Sequence, residues 1–188
     1  MVKLAATPSQ TLGPFFSYEL LGADDAHVAG SAAKGEHIVL AGVLMDNEGT
    51  PVRDALVEVW QADAAGRYPG QDADADPAVR GFGRTLTDAV GVFQFHTVLP
   101  GVSAGAGNSA QAPHFAIGVF AAGLMRRVTA RIYVPDRDEL ATDAVLASLP
   151  EAARGSLTAS WAADVDGARC LNFDFRLGGA GATTVFTD

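Results

Sequence analysis

The 188-residue sequence contains a single cysteine, Cys170, so it cannot form an internal disulfide. Cys170 reads as a small buried hydrophobe rather than a redox group. No apolar run approaches the roughly 18 residues that a membrane-spanning helix requires. The N-terminus, MVKLAATPSQTLGPFF, lacks the long apolar stretch and small-residue cleavage site of a secretory signal, and the chain is read as cytoplasmic. Basic residues are scarce: 13 Lys and Arg stand against 22 Asp and Glu, a net charge of −9. With no basic cluster beyond the short MRR at 125–127, the charge balance argues against a nucleic-acid ligand, whose binding rests on neutralising phosphates. The shortage of Lys beside a 48% hydrophobic composition implies that part of the apolar surface is covered by another subunit. The acidic run DADADP, 72–77, lacks the glycine and closing glutamate of a calcium loop and reads as solvated.

What is present is a series of short β-rich runs between Gly, Pro and Asp punctuation, the pattern of an antiparallel β-sandwich. The expected strands are 37–45, 55–61, 91–98, 114–120, 128–134 and 170–177. DNEGTPV at 46–52, TDAVG at 87–91 and LPG at 99–101 supply the turns. In VFQFHTV the pleat puts Phe93, Phe95 and Thr97 on one face. One segment departs from this pattern: Leu140, Ala144, Val145 and Leu149 fall near helical spacing after several Asp residues and before Pro150, which predicts one short helix over 138–148. Residues 1–36 form an irregular, extended N-terminal arm that needs a surface to dock on, with VAGSAAKG at 28–35 as a flexible link. The whole of 1–188 is expected to be one all-β domain.

Chemistry concentrates in two places. GTPVRDALVEVWQADAAGRY, 49–68, is a turn, a strand buried through Ala55, Val57, Val59 and Trp60, and a glycine turn presenting Tyr68. A phenol in that position either caps the core or binds a ligand. QAPHFAIGV, 111–119, is a strand entered from a Pro and carrying a single imidazole, His114. Arg131 in VTARIYV alternates with Thr129 and Tyr133 on one strand face, a position for a surface salt bridge or for an anionic ligand.

The segments VLAGVLMDNEGTPVRDALVEVWQADAAGRY, RTLTDAVGVFQFHTVLPG and APHFAIGVF, following TPSQTLGPFF and followed by FDFRL, occur in an order and spacing that resemble the intradiol ring-cleaving aromatic dioxygenases. The resemblance runs through most of the chain. It implies a β-sandwich and a ferric ion held by two tyrosinates and two histidines, hard phenolate oxygens being suited to Fe(III). Tyr68 matches the first tyrosine. The second would follow the PG at 100–101, where Val102 and Ser103 stand; the second histidine would be two residues past His114, where Ala116 stands. Neither His27, His37 nor His96 falls at a matching position, and the family's arginine before the histidine strand is Gln111 here. Tyr68 and His114 are therefore read as remnants, with no metal site in this chain.

Within the family, the resemblance fits the chains that keep the fold without the iron. Such an α chain works with a homologous β subunit that binds the Fe(III), in a large α/β assembly acting on a small aromatic acid and O2. It implies that Thr11, Gly13 and Pro14 of the arm line the partner's substrate cavity, anchored by Phe15 and Phe16, and that Arg131 assists with the substrate carboxylate. Arg126 and Arg127 are weaker candidates for that role. A self-sufficient dioxygenase with an atypical site at Tyr68 and His114, and a silent transthyretin-like carrier sandwich, are the alternatives.

Overall fold

In a computed structural model, which describes Pro8, Thr11, Gly13 and residues 20–186, the alternating and β-branched runs form two packed sheets. The first is built on β1 (His37–Met45), which pairs on one side with β4 (Val92–Val98) and on the other with β10 (Ala168–Asn172) and then β11 (Phe175–Arg176). The edge strand β9 (Ser160–Val165) pairs with β10. The second sheet runs in the order β3 (Phe82–Leu86), β2 (Leu56–Gln61), β7 (His114–Phe120), β8 (Val128–Tyr133). A two-residue pair, β5 (Ser103–Ala104) and β6 (Ala110–Gln111), sits ahead of β7. The expected antiparallel pairing holds in every ladder except those of β1 with β10 and β11, which are parallel.

The two inner faces make one core. Leu40 lies opposite Phe95 in β1 and β4; Val57 lies opposite Val119 and Val59 opposite Ile117 in β2 and β7. All six are buried in a single cluster with Phe93, Phe115, Ile132 and Leu171. Burial of such side chains contributes about 25 cal/mol per Å² removed from water, the principal favourable term in folding. The core is not wholly apolar. Gln61 on β2 donates to the carbonyl of Val98 and accepts from Thr97 Oγ1 on β4, so a satisfied polar pin crosses between the sheets.

Several expectations need correction. The strand predicted over 170–177 is interrupted, because Asp174 Oδ1 accepts the Val43 amide in place of a strand carbonyl. The helix over 138–148 is a 3-10 turn, Asp138–Ala141, and a separate short helix, Ala144–Ala147; Asp143 between them is an N-cap accepting from the amides of Val145 and Leu146, and a further short helix spans Glu151–Gly155. The link at 28–35 is tied down: Val28, Ala29 and Ala33 are buried, and the amide of Gly30 donates to the carbonyl of Ala78. The acidic loop is not merely solvated. Asp76 is buried, accepts the Lys34 amide and donates its own amide to Asp63, while Asp72 accepts the Tyr68 amide. Strands β3 and β9 escape sequence reading, the former carrying Gly83 and Arg84 and the latter being largely exposed along its length. No helix among the described residues is long and apolar enough to cross a membrane.

Phe95 is fully buried at the centre of the first sheet. Phe95→Ala is expected to lower the unfolding free energy by about 3–5 kcal/mol, read from denaturant midpoints at unchanged slope.

Candidate functional site

Because strand side chains alternate, the residues that do not face the core stand together on the outer face of the second sheet. Register places Trp60, Ala116 and Arg131 in one cross-strand row, with His114 opposite Tyr133 in the next. Tyr68 reaches this face from the turn after β2. That turn is closed by Asp63, which accepts the amides of Ala65 and Arg67, and by Gly66 at φ 80°, where a Cβ would strike the carbonyl oxygen of Val102. Burial alone would raise the Asp63 carboxyl, but amide donors from Arg67, Asp76 and Ala65, with the Arg67 guanidinium, hold it below the usual carboxylate range. Tyr68 then stacks parallel to Trp60, ring centroids 6.0 Å apart.

His114 is buried. Its Nδ1 lies 2.8 Å from the carbonyl oxygen of Ala112, so Nδ1 carries the proton and Nε2 turns its lone pair to the Tyr68 hydroxyl, 3.5 Å away. Burial pushes the imidazole pKa down, with the nearby Arg131 charge acting in the same direction against the Ala112 bond and the Asp143 charge. Tyr133 is fully buried and donates to Asp143 Oδ1 at 3.1 Å. Burial is the main reason its phenol is pushed up to about 12. Arg131 is half-buried, its Nη1 donating to Gln111 Oε1 at 2.7 Å and to the Tyr133 oxygen at 3.4 Å.

The residues foreseen from sequence are thus brought together only in part. Tyr68, His114, Ala116 and Arg131 share one face, and the missing second tyrosine's position adjoins it: Val102 packs on the Tyr68 turn, and Ser103, its hydroxyl buried without a hydrogen-bond partner, pairs with Gln111. Thr11 is elsewhere. Its hydroxyl accepts the Gly123 amide beyond the far end of β7, and Gly13 is exposed with nothing within 4 Å of where a Cβ would stand. Pro14 lies outside the described residues. From Ala116 to the end of β7 at Phe120 is four residues, about 13 Å, so Thr11 stands past one end of the strand and Arg131 near the other. Sequence reasoning missed Trp60 as a stacking partner and Tyr133 and Asp143 as the support beneath Arg131. The alternation of Arg131 with Tyr133 was the available signal for the second of these.

Solved structures share this architecture. The dioxygenase domain of a dioxygenase–carbohydrate-binding fusion from Streptomyces sp. SirexAA-E superposes with TM-score 0.65 at 24% identity, covering 94% of this chain and 100% of that one. Hydroxyquinol 1,2-dioxygenase from Pseudomonas putida DLL-E4 does so with TM-score 0.65 at 25% identity, over 91% and 66%. The sandwich is therefore that of the intradiol ring-cleaving dioxygenases. Residues 13–179 match the family described as Dioxygenase (Dioxygenase_C), and the chain belongs to that family. Among curated relatives, the protocatechuate 3,4-dioxygenase alpha chain of Pseudomonas putida is 39% identical over 97% of this chain and 96% of its own length. The beta chain of Burkholderia cepacia is 36% identical over 93% and 80%.

Family membership implies iron, and the donor set here can be tested against it. Among the described residues no group of three or more His, Cys, Asp or Glu converges. The Tyr68 oxygen and His114 Nε2 offer two donors, the third position is the methyl of Ala116, and the Arg131 cation is near enough to disfavour positive charge on the His114 ring. A hard trivalent cation wants anionic oxygen and imidazole donors, not a guanidinium. The residues present do not fit a ferric ion.

His114 binds fewer protons folded than unfolded as pH falls below its ordinary value of 6.5, so its contribution to stability is present above that pH and lost as acid is added. The melting temperature is expected to fall between about pH 7 and 5.5, and His114→Gln to flatten this slope, by calorimetry across that range.

Proposed function

We propose that this chain is the iron-free α subunit of a protocatechuate 3,4-dioxygenase, working with an iron-bearing β subunit of the same fold. The enzyme so formed cleaves protocatechuate with O2 between its two hydroxyls, giving 3-carboxy-cis,cis-muconate. The Fe(III) is held by the β partner, and the catalytic chemistry belongs there. This chain supplies one sandwich unit, pocket wall and a cation. The observation that carries the reading is the outer face of β7 and β8, where a methyl at Ala116 and a guanidinium at Arg131 lie beside the Tyr68–His114 pair. Near-full-length similarity to alpha chains supports it.

In this reading the arm residues Thr11, Gly13 and Pro14 line the cavity of the partner. Two of these are exposed in the isolated chain, Thr11 and Gly13, as a segment must be if it is to meet another subunit. A Gly-Pro pair gives a rigid backbone able to approach a ligand closely. Arg131 takes an anionic group of the substrate, for which a planar guanidinium offers bidentate donors.

Purification of the chain alone and with a co-expressed β subunit tests the subunit assignment. The chain alone is expected to show neither a tyrosinate-to-iron visible band nor turnover, and the copurified complex to show both. A coloured, active chain in isolation would sink the proposal. In the complex, Gly13→Val is expected to raise KM for protocatechuate by about 10-fold, since a side chain would enter the space that close backbone approach leaves to the ligand. Unaltered steady-state kinetics for this variant would remove the arm from the pocket.

A further inference from the structure

The ion pairs among the described residues engage Arg53, Arg67, Arg80, Arg84, Arg127 and Arg169, and not the half-buried guanidinium of Arg131. It is instead held by two neutral acceptors, and both meet the same nitrogen. Gln111 Oε1 accepts from Nη1 at 2.7 Å, and the Tyr133 oxygen accepts from Nη1 at 3.4 Å. Nε and Nη2 make no hydrogen bond among the described residues, so the guanidinium keeps one edge of its fork open.

Each acceptor is itself fixed. The Gln111 amide donates through Nε2 to the carbonyl of Ala104 at 2.8 Å, which turns Oε1 toward Arg131. The phenolic hydrogen of Tyr133 is committed to Asp143 Oδ1, leaving the oxygen's lone pairs for the arginine. Asp143, fully buried, accepts the amides of Val145 and Leu146 on Oδ1 and of Ala112 on Oδ2, so it cannot swing away. Burial keeps the Tyr133 phenol protonated, its pKa pushed up to about 12, so the chain of donors does not reverse across the working pH range.

We infer that Tyr133, backed by Asp143, and Gln111 are positioning residues for Arg131, together pinning its Nη1 so that the Nε and Nη2 edge is presented as a preformed bidentate fork to the substrate carboxylate. This rests on the reading of Arg131 given above. Preorganisation of this kind removes the rotamer cost of fixing a long side chain when ligand arrives.

The test uses the α/β complex and two catechols, one bearing a ring carboxylate and one uncharged, with the ratio of their KM values as the readout. Arg131→Ala is expected to move that ratio against the carboxylated substrate by about 10–100-fold, the scale of a charge-assisted bidentate contact. Tyr133→Phe and Gln111→Leu are each expected to move it in the same direction by about 2–10-fold, with KM changing more than kcat, and to add nothing in the Arg131→Ala background. A merely structural role would shift both substrates alike and persist in the double variants. If Arg131→Ala moves the ratio while Tyr133→Phe and Gln111→Leu do not, the positioning role falls and the reading of Arg131 stands. If Arg131→Ala leaves the ratio unmoved, both fall. Should Tyr133→Phe fail to assemble, Gln111→Leu, half-buried and outside the core cluster, decides the matter.

Discussion

A buried carboxylate organises the functional end of this molecule. Asp143 is removed from solvent, a costly place for a charge, and is tolerated because three backbone amides and one phenol converge on it. Those four donors belong to three segments: Ala112 in the link between β6 and β7, the start of the helix Ala144–Ala147, and β8. One side chain therefore fixes where β7 begins, where the helix begins and how the Tyr133 ring is turned. The orientation of His114, whose Nδ1 is bonded to the carbonyl of Ala112, depends on the same junction.

The two faces of the second sheet differ in character although they are carried by the same strands. Pleating separates the core residues Val57, Val59, Phe115, Ile117 and Ile132 from Trp60, His114, Ala116 and Arg131 along the same strands. Substitutions on one face leave the other face's packing intact. The Arg131 guanidinium on this face also disfavours a bound cation and adds to burial in lowering the affinity of His114 for a proton.

Strands whose β-branched runs are bounded by Gly, Pro or Asp turns were legible, β1 and β7 to the residue. Side-chain alternation placed Phe93, Phe95 and Thr97 on the buried face, whereas Trp60, expected in a strand buried on both faces, stands half-buried on the outer one. Less visible was anything depending on a partner distant in sequence. The parallel place of β10 beside β1, the break at Asp174 and the burial of Asp76 and Asp143 each follow from a hydrogen bond to a remote segment, and an acidic residue in isolation reads as surface. The candidate site divided in the same way. Motif order drew Tyr68, His114 and Ala116 together, and the structure sets them on one face, while the contacts of Gln111, Tyr133 and Asp143 beneath Arg131 could be recognised only in three dimensions.

Strand β7 sets a spacing as well as a surface. With Thr11 secured past one of its ends and Arg131 standing across from Ala116 near the other, two residues far apart in sequence are held at the ends of a single rigid ruler. A two-residue lengthening of this strand would keep every side chain on its proper face yet push the two places about 7 Å further apart. The distance between Thr11 and Arg131 is thus set by the length of one strand.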